Sequence, residues 1–169
     1  MNIYVLDYQQ DDPSKCTAKK MVRLGLAAEV PRKFHASSST VVLNPFSDIV
    51  LSPSDRGSKG LLVIDCSWNI AKEVFFRKLG GKHRRLPVLL AGNPTNYSKL
   101  RMLSSLEAVA ATLYILGERS QAESYLSIYK WGRTFLTLNQ DPLEEYSTAE
   151  SEDEVRDLEH QFFPQIRNA

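Results

Sequence analysis

A chain of 169 residues with 43% hydrophobic content can bury one sizeable core or two small domains sharing an interface. Two cysteines that form no C-x-x-C pair, Cys16 and Cys66, and three scattered histidines exclude a disulfide scaffold and argue against a zinc site or any bound metal. The net charge of +1 hides an asymmetry: residues 141–169 carry nine acids against Arg156 and Arg167, leaving 1–140 at about +8.

In chain order, the first half alternates short apolar runs with helical patterns. "NIYVLD" (2–7), "TVVLN" (40–44), "IVLS" (49–52), "GLLVID" (60–65) and "LPVLLAG" (86–92) are short and apolar throughout, as strands buried on both faces are. They predict a parallel sheet covered by helices. Helices are predicted over 17–27 and over 69–79, the second stopped by Gly80-Gly81.

From residue 103 onward no strand pattern remains. Four capping boxes are predicted to start helices: Ser104–Glu107, Ser120–Glu123, Asp141–Glu144 and Ser151–Glu154. Pro142 suits a first helical position, and "LEAVAATLYIL" (106–116), apolar nearly all round, predicts a central buried helix. The chain therefore reads as an α/β domain over 1–92 and a helical domain over 93–169, with an acidic tail from 141. No apolar run approaches the roughly 20 residues that span a bilayer, and no signal-peptide pattern opens the chain. A soluble, intracellular protein without a membrane partner is expected. A basic body with an acidic tail fits a polyanionic partner.

Ligands of open parallel sheets bind outside the carboxyl ends of the strands. Here those ends read Asp7, Asn44-Pro45, Ser52-Pro53, Asp65-Cys66-Ser67-Trp68 and Gly92-Asn93-Pro94, polar or turn-forming in every case. The segment 7–20 adds Asp11, Asp12, Lys15, Thr17, Lys19 and Lys20; Thr17 either caps a helix or donates to a ligand carboxylate. No P-loop, G-x-G-x-x-G, G-x-S-x-G or H-E-x-x-H appears, and nothing marks a histidine positioned by an acid.

"DDPSKCTAKK", "LNPFSDIVLSPSDR", "VIDCSW", "LPVLLAGNPTNYSKLRMLSSLEAVAATLYILG" and "YKWGRTFLTLN" together resemble the small-subunit ribosomal RNA aminocarboxypropyltransferase family, in order from about residue 3 to 146. Tyr8 stands where that family usually has His, Ala18 where Gly is common, and "AGNPTNYS" for "AANPVNYG". The resemblance implies a SPOUT-like α/β domain threaded through a deep trefoil knot, completed near residue 92, and an all-helical C-terminal domain. It implies transfer of the 3-amino-3-carboxypropyl group of S-adenosylmethionine, as co-substrate, to N3 of a pseudouridine, N1-methylated or not, in small-subunit rRNA. Methylthioadenosine is the by-product.

The same resemblance assigns roles. Thr17 would meet the cofactor carboxylate, and Leu43, Pro45 and Trp68 would wall the adenosine and methyl. Backbone near Leu62, Leu90 and Ser105 would read adenine and ribose. Asp65 would lie nearest the chemistry, accepting the imide proton or compensating the sulfonium charge, with a turn-capping role as the structural alternative. RNA contacts would come from Lys15, Lys19, Lys20, Arg23, Lys82, Arg84, Arg85, Lys99 and Arg101, with Tyr97 either stacking on a base or packed. A monomeric, cytoplasmic enzyme acting on rRNA or a pre-ribosomal particle is implied. The competing readings are a SPOUT-type RNA methyltransferase and a non-catalytic pre-rRNA-binding assembly factor.

Overall fold

The apolar runs of the first half assemble into a five-stranded, all-parallel sheet in the computed structural model, which describes residues 1–168. Its strands are β1 (Asn2–Asp7), β2 (Ala28–Glu29), β3 (Ala36–Leu43), β4 (Gly60–Asp65) and β5 (Gly80–Arg84), in the order β2-β1-β4-β3-β5. Successive side chains of a strand point to opposite faces. Leu61 and Leu62 are neighbours in β4, and both are fully buried, so both faces of the central strand are covered. Helices α1 (Thr17–Arg23) and α2 (Trp68–Phe75) belong to the same body. Val74 of α2 packs into a cluster with Leu6, Tyr8, Ala36, Val42, Leu62 and Leu79.

The chain divides into two compact units. The first comprises 1–48 and 57–85 and contains the whole sheet with α1 and α2; the second comprises 49–56 and 86–169. The sequence pattern puts a boundary near 92, whereas the chain leaves the first unit after Arg85.

Two of the expected strands are not strands. Residues 49–52 lead into a short 3-10 turn over Pro53–Asp55, where Ser52 and Asp55 form a capping box that the sequence reading overlooks. Residues 86–92 are extended, but their backbone groups bond mainly to side chains. Asn139 carries its carboxamide across Leu90, accepting from the Leu90 N–H and donating to the Leu90 carbonyl, both at 2.8 Å. Glu159 accepts from the Val88 N–H at 2.9 Å, and the Tyr146 hydroxyl donates to the Val88 carbonyl at 3.0 Å. An antiparallel bridge joins Leu90 to Leu100.

Conversely, β5 is a strand the apolar pattern misses. "GGKHR" is polar because it is an edge strand, where charged side chains face water. Helix α2 ends at Phe75, short of the expected 79, so Gly80 and Gly81 do not stop it; with φ values of 70° and 73° they turn the chain into β5.

The second unit carries α3 (Ser105–Ile115), α4 (Arg119–Leu126), α5 (Gly132–Leu138), α6 (Gln140–Thr148) and α7 (Glu152–Phe162). Helix α3 is buried on nearly all sides, as its composition predicts. Its capping box, Ser104 with Glu107, is complete, and Ser151 caps α7 by accepting from the Glu154 N–H. The other two boxes fail for local reasons. Helix α4 starts at Arg119, so Ser120 is already inside it. Helix α6 starts at Gln140, making Pro142 its third residue, and Glu144 reaches Arg119 (2.6 Å) and the Tyr114 hydroxyl (3.1 Å) instead of a helix start. Among the described residues no helix is long and apolar enough to cross a membrane.

Candidate active site

Strands β1, β4 and β3 are adjacent and parallel, so Asp7, Asp65 and Asn44 leave the sheet along one edge. These are three of the five strand ends named from the sequence; Ser52 and Gly92 end no strand and belong to the second unit. Asp7 and Asp65 are register partners. Neighbouring strands lie about 4.8 Å apart, so two acids in register repel each other unless each has its own partner.

Each has one. The Lys19 ammonium lies 3.4 Å from Asp7 Oδ2, and the Gln9 N–H donates to Asp7 Oδ1 at 2.6 Å. Asp65 Oδ2 accepts from the Cys16 thiol at 2.9 Å. Burial pushes the Asp65 carboxyl above the usual carboxylate range; Asp11 and Asp7 push the same way, while the Cys16 bond and Lys19 oppose. Burial, followed by the bond to Asp65, drives the Cys16 thiol up to about 12. It therefore stays a neutral donor, not a thiolate nucleophile.

Cys16 is a site residue that the sequence reading passed over. It is also the N-cap of α1, its sulfur accepting from the Lys19 N–H at 3.5 Å, so Thr17 is the first helical residue and not the cap. No motif marks a cysteine in this role, because its carboxylate partner lies 49 residues away. Cys66, next to Asp65, is half-buried and its thiol is likewise pushed up by burial.

Beyond Asp65 the chain turns into α2. Ser67 is its N-cap residue by backbone geometry, and its N–H is taken by the Gln10 side chain at 2.7 Å. This turns Trp68 outward, 63% exposed. Phe46 meets Trp68 edge-on with centroids 6.5 Å apart and Phe75 at 5.8 Å. Phe46 is held by Asn44, whose Oδ1 accepts from its N–H at 2.9 Å while the amide nitrogen meets His83 Nδ1 at 3.0 Å. Pro45 is exposed between them and Leu43 is buried at the end of β3. An open aromatic wall thus stands beside a partly buried carboxyl, a combination suited to an organic ligand with a charged centre. Leu62 differs in kind. It sits in mid-strand, bonded to β1 and β3 and packed into the core cluster.

The other named candidates divide between the units. Lys15, Lys19, Lys20 and Arg23 lie on α1 and the loop before it. A cleft of about 260 Å³ over the β1–β2 side is lined by Lys19 and Arg23 together with Asp7, Gln9, Glu29, Val5 and Val22. Lys82 and Arg84 lie on β5, Lys82 donating to the Ser58 hydroxyl at 2.7 Å, and Arg85 follows directly. In the second unit, Leu90 has both backbone groups taken by Asn139, and Ser105 opens α3. Lys99, Arg101 and Tyr97 are exposed in the loop before that helix.

Residues 41–163 match the family model described as "Ribosome biogenesis protein, C-terminal". Residues 1–33 match one described as a possible Fer4-like domain in RNase L inhibitor. The residues do not fit a cluster: iron–sulfur centres take four thiolates, and this stretch holds Cys16 alone of two cysteines in the chain. A 16S rRNA aminocarboxypropyltransferase of Methanosarcina mazei is 44% identical over 162 residues, 95% of this chain and 94% of that protein. One of Sulfurisphaera tokodaii is 43% identical over 169 residues, 98% of each. Among solved structures, the SAM-dependent rRNA:acp-transferase Tsr3 from Vulcanisaeta distributa superposes with a TM-score of 0.82 at 38% identity, covering 99% of this chain and 98% of that one. The chain belongs to the 16S rRNA aminocarboxypropyltransferase family.

Proposed function

We propose that this protein transfers the 3-amino-3-carboxypropyl group of S-adenosylmethionine to N3 of a pseudouridine, N1-methylated or not, in small-subunit rRNA. The observation that carries this is likeness to aminocarboxypropyltransferases at 43–44% identity over nearly the whole chain. The sulfonium of the co-substrate supplies an activated γ-carbon, so the protein's task is to select which carbon faces the nucleophile. Trp68, Leu43 and Pro45 cover the adenosine and the methyl, and the open aromatic wall supports that role. Thr17 binds the amino-acid carboxylate. Leu62 backs the site from the core, and backbone near Leu90 and Ser105 reads adenine and ribose.

Asp65 takes the N3 proton. Its raised proton affinity supports this role, because a base works best when its pKa approaches the working pH. Orientation supplies much of the rest, on the order of 7–11 kcal/mol when reactants are well aligned. Lys15, Lys19, Lys20, Arg23, Lys82, Arg84, Arg85, Lys99 and Arg101 bind RNA phosphates, with Tyr97 available to a base.

The all-parallel sheet and the later helices support the finer architecture: a SPOUT-like knotted domain over 1–92 and a helical domain over 93–169. The enzyme acts as a cytoplasmic monomer on rRNA or a pre-ribosomal particle. Incubation with rRNA and S-adenosylmethionine labelled in the carboxyl or in the methyl group tests the chemistry. Carboxyl label should enter RNA. Methyl label alone would make the protein a methyltransferase, and no affinity for S-adenosylmethionine would leave an assembly factor.

A further inference from the structure

Asp65 is set into its surroundings asymmetrically. Oδ2 is held by the buried Cys16 thiol, while Oδ1 receives no hydrogen bond among the described residues. Cys16 is itself fixed twice: as the cap of α1 it accepts from the Lys19 N–H, and its own N–H donates to the Asp12 carbonyl at 3.1 Å. The thiol thus joins the start of α1 to the end of β4. A packed cysteine of no further consequence need only fill space; this one spends its single proton on the carboxylate.

We propose that Cys16 is a positioning residue for Asp65, fixing Oδ2 through its S–H and reserving Oδ1 for the proton of the reacting base. A hydroxyl would do the same with a stronger donor, and a methyl would not. The thiol is the weaker choice for holding a charge, and that suits a base: a strong donor on Oδ2 would lower the proton affinity of the carboxylate. The groups facing Asp65 are Asp7 from β1, Asp11 from the loop after it, Lys19 from α1 and the adjacent Cys66. Asp7 and Asp11 raise its proton affinity while Lys19 and Cys16 lower it, so removing the thiol leaves the acids less opposed.

This inference rests on the proposed function only for the purpose of the geometry, so its test begins without turnover. Carbon-13 NMR of the Asp65 carboxyl is followed through pH in the wild type, Cys16→Ala and Cys16→Ser. The Asp65 midpoint should move up in Cys16→Ala and down in Cys16→Ser; unmoved midpoints in both overturn the proposal. Should Cys16→Ala fail to fold, the direction in Cys16→Ser decides alone. Single-turnover transfer to rRNA is then measured against pH. Cys16→Ala should lose roughly 10- to 100-fold in rate, misplacement by ~1 Å costing about 100-fold. The acid limb of its profile should move to higher pH, while Cys16→Ser keeps most of the rate. A Cys16→Ala enzyme with lower stability but an unchanged acid limb has lost only a helix cap, which overturns the positioning role. Failure of the underlying reading looks different: no carboxyl label enters RNA with the wild type, while the NMR midpoints still shift.

Discussion

Asp7 and Asp65 end adjacent parallel strands as register partners, yet one is met by an ammonium and the other by a thiol. The pair is thereby split. Lys19 answers the Asp7 charge directly, whereas Asp65 receives only a weak neutral donor and keeps a raised proton affinity. Unlike partners on two register-paired acids set Asp65 apart as the candidate base of the site.

The Asp65 shift has a consequence for stability. Because the folded state raises its pKa above 3.8, the protein binds this proton more tightly folded than unfolded. Its contribution is favourable below pH 3.8 and is lost as pH rises through the folded value. Asp65→Asn should therefore gain stability relative to wild type between acid and neutral pH, while losing on the order of 10²–10⁴-fold in transfer rate. Urea unfolding across that range, paired with a transfer assay, checks both halves. Wild-type turnover would make Asp65 a turn cap.

Trp68→Ala should leave the fold intact, since a side chain 63% exposed contributes little to the core. Affinity for S-adenosylmethionine should fall by roughly tenfold or more, aromatic contacts being worth about 0.5–1.5 kcal/mol beyond the area they bury. Calorimetry and thermal unfolding separate the two effects. Unchanged affinity removes Trp68 from the pocket.

Much of this arrangement is legible in the sequence, and what is missed has identifiable causes. "GLLVID" announces a central strand because both faces are covered. "LPVLLAG" carries the same signal but finds its partners in Asn139, Tyr146 and Glu159, which no local pattern reveals. "GGKHR" hides a strand behind edge-strand polarity. Ser120 and Asp141 have the right spacing for caps, but spacing does not tell a helix start from a first turn. Cys16 is invisible because its meaning lies in a carboxylate 49 residues on.

Glu107→Ala should be severely destabilising. The carboxylate is fully buried and accepts from the N–H groups of Gly92, Asn93 and Ser104 and from the Asn93 side chain, at 2.6–2.9 Å. Each buried donor left without a partner costs about 1–3 kcal/mol, so a loss of roughly 3–5 kcal/mol is expected. Glu107→Gln should cost less, because it retains one acceptor. Chemical denaturation of both variants provides the ranking.

Lys15→Ala and Arg23→Ala should weaken binding of rRNA fragments without changing affinity for S-adenosylmethionine. Each lost phosphate contact should reduce the slope of log affinity against log salt by about 0.7–0.9. A titration at several salt concentrations measures it; an unaltered slope removes that residue from the RNA surface.

Within the stretch at 87–91, Leu89 and Ala91 bond to the nearby backbone of 98–101, whereas Val88 and Leu90 depend on side chains that arrive 49, 58 and 71 residues later. Bringing such distant groups together is slow, because loop-closure entropy is spent before any contact repays it. During synthesis, Val88 and Leu90 emerge well before Asn139, Tyr146 and Glu159. Val88 and Leu90 therefore wait for these partners long after Leu89 and Ala91 have met theirs. A chain cut before Glu159 leaves the Val88 amide without its carboxylate.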